Sequence, residues 1–296
     1  MRRLGHRPQR TLANPVTLFG RGLLTGQRVR IRFRPAEPDT GLVFLRTDVR
    51  PAVEISATYN NVSDSYRRTT IGEPPFHVSL VEHVLAALSG LRIDNCLIEL
   101  DASEPPGLDG SAMPYVEAIF DAGATLQSSS RAIWTVTESV TVARGRATLS
   151  IHPTDIDELR VSYMLDYGFD SPIIRQKHTT TLTPESFRRE LAHCRTFVLD
   201  YEAEDLIAQG VGRHITPTDI LVFGPDGPID NKLRHGNEPA RHKILDVIGD
   251  LALFGADLRG HVVACRSGHP LNVELVCSLA ARLPGERQLQ RLFRAA

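Results

Sequence analysis

Alternating apolar and polar positions predict strands in the first third of the chain. VRIRFRPA (29–36) and GLVFLRTD (41–48) keep apolar residues on one side of an extended backbone, which is typical of strands with one buried face. Residues 50–57 fit a further strand. The short apolar run NCLIELD (95–101) predicts a strand that is buried.

Helical spacing of apolar residues predicts two main helices. SLVEHVLAALSGL (79–91) has Ser79 as a candidate N-cap, Glu82 at the capping-box position and Gly90 as a stop signal. Residues 239–255 form the second main helix, which is rich in apolar residues. Shorter helices are predicted at 114–123, at 184–194 after the N-cap Thr183, and at 270–282.

The second half of the chain repeats the order of the first half. Strands are predicted within WTVTESVTVA, RATLSIHP and LRVSYMLDYG. LAALSGLRIDNCLIEL and GDLALFGADLRGHVVAC then share a rhythm of helix, glycine and buried strand. We therefore expect an α+β fold with two similar domains, residues 1–123 and 133–296, joined by the small polar linker 124–132.

Composition narrows the class of protein. The 296 residues are enough for two domains with their own cores. With 42% hydrophobic residues, 23% charged residues and a net charge of −1, the chain has the composition of an ordinary globular protein. It lacks the overall positive charge expected of a nucleic-acid-binding protein. No apolar run reaches the length of a membrane span, so we expect no integral membrane segment.

The basic start and the cysteines bear on the compartment. MRRLGHRPQR has no apolar segment after it, so it does not predict a secretory signal, and we expect a frayed tail. The 4 cysteines are scattered without a CxxC pair. This spacing argues against a disulfide framework or a cysteine zinc site, and it favours buried free thiols in a reducing cytoplasm.

Candidate chemistry comes from a polar stripe on the helix at 239–255. His242, Asp246 and Asp250 are spaced four residues apart, so their side chains share one narrow face. The neighbouring positions are apolar, and carboxylates in such surroundings are costly unless something pairs with them.

A hydrolytic metal ion would account for this stripe. Such an ion needs three nitrogen or oxygen ligands and one open position for water. His242 and Asp246 could supply two ligands from one helix face, and His83 could supply the third. Glu82 adjoins His83 and is suited to take a proton from water, and Asp250 could orient an imidazole. On spacing alone, the structural interpretations, a solvated ion pair for His242 and Asp246 and a helix cap for Glu82, are favoured over a metal site.

The chain as a whole resembles the UDP-3-O-acyl-N-acetylglucosamine deacetylase family, the zinc-dependent deacetylases of lipid A biosynthesis. The resemblance runs from Thr11 to Leu279 and rests on segments that follow in the family's order: VTLFGRGLLTGQRV, TTIG, VSLVEHVLAALSGLRIDN, LDGSAMPYVEAI, CRTF, RHKILDVIGDL and SGHPLN. It implies two domains, each a small and mostly antiparallel sheet with paired helices. The helix layers would pack between the two sheets, with the active site at their junction.

The resemblance implies the reaction and the groups that carry it. His83, His242 and Asp246 match the zinc ligands, Glu82 matches the general base, and His269 matches the general acid that protonates the leaving amine. The N-acetyl group of UDP-3-O-acyl-N-acetylglucosamine would be hydrolysed to acetate and UDP-3-O-acyl-glucosamine, the committed step of lipid A synthesis. We expect one Zn²⁺ per chain, with Fe²⁺ as an alternative on the same ligands, and a cytoplasmic monomer.

Further residues match family positions around the substrate. Asp250 matches the carboxylate that is hydrogen-bonded to the general acid, and Thr196 matches the threonine that helps to hold the oxyanion. Phe197 and Lys243 match substrate-binding residues, and Asp219 matches a further polar contact. In the family, the region that corresponds to 197–222 builds the apolar passage for the acyl chain.

The chain departs from the family pattern at two places. Leu24 stands where the family usually carries a histidine near the active site, and we expect it to line the pocket. Within the acyl-chain region, Leu206, Ile207 and Val211 keep an apolar character, whereas Arg213 and His214 are unexpected.

Two alternative functions remain open. One is a non-catalytic relative that binds a nucleotide sugar or an acyl ligand, which the departures from the pattern would permit. The other is a zinc amidase that acts on a different acylated amino sugar. A complete set of ligands, base and acid favours an enzyme, because a binding protein has no use for a proton shuttle.

Overall fold

The structure is a computed structural model that describes residues 1–212, 214–217 and 219–284. The end of the predicted second domain, residues 285–296, lies outside the described residues. All the site residues predicted from the sequence lie within the described part of the chain.

Runs of strands are followed by helices along the chain, as expected for an α+β protein. The strands are β1 (Arg2–Leu12), β2 (Val16–Arg21), β3 (Arg28–Pro35), β4 (Leu42–Arg46), β5 (Val53–Ser56), β6 (Val62–Asp64), β7 (Thr70–Ile71), β8 (Val78–Ser79), β9 (Cys96–Leu100), β10 (Ala124–Thr135), β11 (Val140–Arg144), β12 (Ala147–His152), β13 (Leu159–Leu165), β14 (Gln176–Thr181), β15 (Phe197–Leu199), β16 (Leu221–Gly224), β17 (Gly227–Pro228) and β18 (Asp257–Cys265). The helices are α1 (Glu82–Gly90), α2 (Met113–Ala122), α3 (Pro184–Ser186), α4 (Asp200–Ala208), α5 (Glu238–Ala252) and α6 (His269–Ala280).

The first sheet has the strand order β2-β3-β9-β4-β5. Its central strand β9 follows α1 in the chain and runs antiparallel to β3 and parallel to β4. Val29, Ile31 and Phe33 of β3 are buried, whereas the arginines between them point away from the core. The alternation seen in the sequence is therefore the alternation of the two faces of this sheet.

The second sheet repeats this arrangement. Its strand β18 follows α5 and runs antiparallel to β12 and parallel to β13, as β9 does to β3 and β4. In both cases a helix follows the central strand, α2 after β9 and α6 after β18. The predicted α+β fold with two units of like architecture is confirmed.

The helices form the layer between the sheets. α1 packs against α2 and α5, and α5 packs in turn against α6. Leu85 and Leu88 of α1, with Leu245 and Ile248 of α5, are almost completely buried. Burial of such side chains stabilises the fold by about 2 kcal/mol each, so the α1–α5 contact is a core contact.

Two segments that were expected to be irregular form strands instead. The basic start, predicted as a frayed tail, forms β1 and pairs antiparallel with β10. The predicted linker 124–132 lies inside β10, which also runs parallel to β18. Small polar residues suggest a loop, but here each segment satisfies the backbone of the other, and the pairing joins residues more than a hundred positions apart.

The short helix after β14 was predicted at its start but not throughout. Thr183 caps α3 as expected, because its side chain accepts a hydrogen bond from the backbone N–H of Ser186 at 3.1 Å. The following turn, Phe187–Leu191, is π-helical. The division of the chain into domains at 123 and 133 stays a prediction.

Candidate metal centre and active site

The first turn of α1 presents Glu82 and His83 to the helix layer. α1 begins at Glu82, directly after a turn in which Leu80 has a φ of 57°. The predicted capping box was wrong, because none of the described residues caps α1 with its side chain. Ser79 belongs to β8, and its hydroxyl lies 3.0 Å from that of Thr70. The Glu82 carboxylate is therefore not engaged in closing the helix end.

α5 brings His242 and Asp246 close to this turn. Their approach depends on Gly249, since a Cβ atom built at this position would lie 2.1 Å from the backbone oxygen of Glu82. Real carbon atoms do not approach an oxygen so closely, so only glycine allows α5 to lie directly on the start of α1. The polar stripe predicted on α5 thus faces His83.

The three residues form a compact group of donor atoms. One ligand atom from each of His83, His242 and Asp246 lies within 4.8 Å of the others, which is close enough to hold a single ion. The Nε2 atoms of His242 and His83 lie 3.4 Å and 3.7 Å from Oδ1 of Asp246. The two imidazole rings are nearly perpendicular, at 86°. The group joins α1 to α5, as the sequence predicted.

The chemistry of the donor set fits a metal ion. Nδ1 of His242 donates to the backbone oxygen of Cys194 at 3.1 Å, which leaves the lone pair on Nε2. Burial lowers the pKa of His242 to about 4, so the ring is neutral near pH 7. Oδ1 of Asp246 is buried and has no hydrogen-bond partner among the described residues. A buried acceptor without a donor is costly, and a cation would satisfy it.

Lys243 and Phe197 flank the group on one side. Nζ of Lys243 donates to Oδ2 of Asp246 at 2.8 Å and lies 5.6 Å from the centre of the Phe197 ring. Burial works against the charge on Lys243, but the Asp246 carboxylate outweighs this effect and raises the pKa of the ammonium group. Although burial favours the neutral acid, His242 and Lys243 hold the pKa of Asp246 well below its ordinary value.

Glu82 and His269 face each other beside the donor group. Oε1 of Glu82 lies 3.9 Å from Nε2 of His269, and the same nitrogen lies 3.8 Å from Oδ2 of Asp246. Burial raises the pKa of Glu82 above its ordinary value, with His269 and His83 acting in the opposite direction. A carboxylate with a raised pKa is a stronger base than an exposed one.

His269 is held in its charged form by carboxylates. Burial works against this charge, but Asp250 and Glu82 outweigh it and raise the pKa of His269 to about 9. Its Nδ1 donates to Oδ2 of Asp250 at 2.8 Å, so Nε2 points toward Glu82. Asp250 is completely buried, and Nδ2 of Asn272 donates to the same carboxylate oxygen at 2.8 Å.

Thr69 is a contact residue that the sequence analysis missed. Its hydroxyl donates to Oδ1 of Asp250 at 2.5 Å, and its backbone N–H donates to Oε2 of Glu82 at 3.1 Å. The only signal in the sequence was the segment TTIG, which carries no spacing pattern of its own. Asn272 was missed as well, although the sequence offers a clearer signal for it: Asn272 lies three residues after His269 and shares its helix face.

A cavity of about 370 Å³ opens from this cluster. Its polar end contains Glu82, His83 and His269 together with the predicted oxyanion residue Thr196. Arg67, Arg68, Glu202 and Lys243 also line the cavity, but most of its other lining residues are apolar. They include Leu23, Leu24, Pro106, Leu206, Ile207, Val211, Ile215 and Val222. Leu24 lines the cavity, as expected of an aliphatic residue at this position.

Asp219 lies apart from the cavity wall. Its Oδ2 accepts hydrogen bonds from the backbone N–H and the hydroxyl of Thr216 at 2.7 Å and 2.8 Å. This carboxylate therefore stabilises a turn next to β16. Among the described residues, the structure brings all the other predicted site residues to the cavity or into contact with those that line it.

Comparison with protein families agrees with this geometry. Residues 9–281 match the model of the LpxC family, described as UDP-3-O-acyl N-acetylglycosamine deacetylase. The chain belongs to this family. The match covers all the helices and every strand except the first part of β1, and it extends slightly beyond the resemblance seen in the sequence.

Individual relatives are similar over most of the chain. A UDP-3-O-acyl-N-acetylglucosamine deacetylase of Geobacter sp. (strain M21) is 40% identical over 93% of this chain and 89% of its own length. The enzyme of the same name from Syntrophotalea carbinolica is 37% identical over 92% of this chain and 88% of its own length. A bifunctional enzyme LpxC/FabZ of Chlorobaculum tepidum is 38% identical over 92% of this chain, which spans 64% of that longer protein.

No helix among the described residues combines the length and the apolar character needed to cross a bilayer.

Proposed function

We propose that this LpxC-family chain is a zinc-dependent deacetylase that removes the N-acetyl group of UDP-3-O-acyl-N-acetylglucosamine in lipid A biosynthesis. The observation that carries the proposal is the meeting of His83 with His242 and Asp246, beside a buried base and a buried acid. The names of the relatives support the substrate. Acetate and UDP-3-O-acyl-glucosamine would be the products.

His83, His242 and Asp246 would hold the metal ion. When bound, zinc supplies a Lewis acid that polarises the acetamide carbonyl and lowers the pKa of a water molecule. The residues around it keep the imidazole of His242 neutral and the carboxylate of Asp246 charged. Fe²⁺ accepts the same ligands, so the donor set does not by itself choose between the two metals.

Glu82 acts as the general base. Its carboxylate is held by the backbone N–H of Thr69 and adjoins the ligand His83. It removes a proton from water while the water oxygen forms a bond to the carbonyl carbon. Thr196, at the polar end of the cavity, donates a hydrogen bond to the oxyanion that develops.

His269 acts as the general acid. An amide nitrogen is a poor leaving group until it is protonated, so breaking the C–N bond requires a proton donor. The pKa of about 9 keeps His269 protonated near pH 7. Nε2 is the donating atom, because Nδ1 is engaged with Asp250.

The rest of the cavity fits the remainder of the substrate. Its apolar walls, with Leu24, Leu206 and Val211, would receive the acyl chain. Lys243 and Phe197 lie beside the donor group, where a cation and an aromatic ring can contact the sugar and the nucleotide.

A reducing cytoplasm is the proposed compartment. The cysteines Cys96, Cys194, Cys265 and Cys277 are all free thiols. Burial raises the pKa of Cys96 and of Cys194 to about 12, so both thiols are inert.

The test is metal analysis combined with a deacetylation assay on the purified chain. We expect one zinc or iron ion per chain and acetate release that a chelator abolishes and added zinc restores. A panel of acylated amino sugars with and without the UDP group separates this function from an amidase with another substrate. Tight substrate binding in a calorimeter, with no acetate released from the metal-loaded chain, would instead show a binding protein.

A further inference from the structure

A histidine from the acyl-chain region contacts a turn whose residues also line the cavity. Nε2 of His214 donates to the backbone oxygen of Gly22 at 2.8 Å. His214 follows α4 in the chain, whereas Gly22 lies directly after β2. This hydrogen bond therefore connects two segments that line the cavity from different parts of the fold.

Gly26 provides the space for the imidazole ring. Its φ is 68°, and a Cβ atom at this position would lie 2.5 Å from Nδ1 of His214. A side chain at Gly26 would thus be strained in its backbone and would also displace the ring. His214 rests on a surface that only glycine can provide.

The turn that accepts the hydrogen bond of His214 is held in place by the carboxylate of Glu104. The backbone N–H of Gly26 donates to the oxygen of Gly22 at 3.1 Å, which closes the turn 22–26. The carboxylate of Glu104 is 1% exposed. It accepts hydrogen bonds from the N–H groups of Leu24 at 2.9 Å and of Thr25 at 2.7 Å. A buried carboxylate with two such donors holds the turn firmly.

Both partners of this contact carry apolar residues of the cavity. Leu23 and Leu24 belong to the fixed turn, and Val211 and Ile215 lie on either side of His214. The separation of these two walls limits the space open to an apolar chain. Since the turn is held by Glu104, the hydrogen bond of His214 sets the position of the other wall.

We propose that His214 is a positioning residue that sets the acyl-chain length accepted by this cavity. The proposal rests on the proposed function, because it treats the apolar walls as the acyl site. Burial of each methylene group changes affinity about fourfold. When the two segments are held at a fixed separation, the cavity therefore discriminates between acyl chains that differ by two methylene groups. Without the hydrogen bond of His214, the segment with Val211 and Ile215 can move, and the cavity accepts both chains.

The experiment measures binding as a function of acyl length on the metal-loaded chain. UDP-3-O-acyl-glucosamines with a series of acyl lengths are titrated by calorimetry, which needs no turnover. We expect the wild-type Kd to have a sharp optimum. In H214A and G26A, the preference for the optimal chain over one longer by two methylenes should fall about tenfold. H214Q should restore much of the preference, because its amide N–H can donate to Gly22.

The control is H6A, since His6 is exposed on β1; it should keep the wild-type profile. An unchanged profile in both H214A and G26A, or a wild type that binds no acyl length better than another, overturns the proposal. Acetate release from the acetylated substrates is measured in parallel. Acetate release together with an unchanged length profile in the variants would contradict only the role of His214. A changed length profile in the variants, without any acetate release, would contradict only the deacetylase function.

Discussion

Two buried histidines of this site differ in charge near pH 7, one neutral and one positive, because their neighbours differ. His242 donates to a backbone oxygen, and burial lowers its pKa to about 4. His269 donates to the buried carboxylate of Asp250, and its pKa is raised to about 9 despite burial. A neutral ring can bind a metal ion and a charged ring can donate a proton. The same residue type thus fills two roles at the residue scale.

Replacing Glu82 by Gln tests the base. The amide keeps the shape of the carboxylate but cannot accept a proton, so kcat should fall about 10³-fold while the metal content stays at the wild-type level. Steady-state acetate release and elemental analysis measure the two quantities. The matched control is E54Q, because Glu54 is exposed on β5. Undiminished turnover in E82Q would remove Glu82 from the mechanism.

The pH profile of kcat/KM tests the acid. Glu82 must be ionised, so the rate should fall as pH drops through its raised pKa. His269 must be protonated, so the rate should fall again as pH rises through about 9. Asp250 is the charge that does most to raise this value, so D250N should move the alkaline limb down by about one pH unit or more.

Asp157 provides the comparison for this profile, since its side chain is 88% exposed. D157N should keep both limbs in place. An alkaline limb that stays at the wild-type position in D250N would show that another group limits the rate at high pH.

Elements differ in how far the sequence predicts them. A sequence signal predicted the structure correctly where the hydrogen-bond partner lies only a few residues away in the chain, as at Thr183, which caps α3. Ser79 has the same kind of signal, but its backbone N–H donates to Ser103 and its hydroxyl contacts Thr70, so tertiary pairing prevails over capping. β1 and β10 have no local signal, because each needs the other as its partner.

The candidate site was predicted through its helix spacings. The i, i+4 stripe of α5 gave His242, Asp246 and Asp250, and the adjacent Glu82 and His83 gave a base and a third ligand. The resemblance supplied the role of His269. Thr69 was missed because its role depends on where β7 meets α5, which no spacing within the chain encodes. Likewise, the contact of His214 with Gly22 joins segments that are distant in sequence.

The crossing of α1 and α5 depends on Gly249. In G249A the added methyl group would overlap the backbone oxygen of Glu82, so the helices must move apart. We expect the free energy of unfolding to fall by about 2–3 kcal/mol and the affinity for zinc to fall with it. Urea denaturation and a competitive chelator titration measure these effects.

Gly236 provides the matched control. A Cβ atom at this position would have no heavy atom within 4 Å, so G236A should leave both stability and zinc affinity near the wild-type values. If G249A behaved like G236A, the close approach of the two helices would not be what assembles the metal ligands.

At the scale of the whole molecule, an ion-pair network ties the two sheets together near β1. Arg7 donates to Asp94 at 2.7 Å and to Asp257 at 2.6 Å. Arg131 lies 3.1 Å from both carboxylates. Asp94 precedes β9 of the first sheet, and Asp257 begins β18 of the second. Because the metal ligands also come from both halves, this network helps to keep the site assembled.

Arg7 is the residue to test in this network. R7M keeps much of the side-chain volume but leaves the buried Asp94 with one cation fewer, so the free energy of unfolding should fall by about 2–3 kcal/mol. The exposed pair of Arg144 with Glu274 is the comparison, and R144M should change stability little. Equal denaturation midpoints for the two variants would mean that the network contributes no more than a surface pair.

Anomalous diffraction at the zinc edge, on crystals of the zinc-loaded chain, tests the central claim most directly. We predict one strong peak about 2.0–2.2 Å from Nε2 of His83, Nε2 of His242 and Oδ1 of Asp246. A peak held by residues of only one half, or no peak between α1 and α5, would contradict the account.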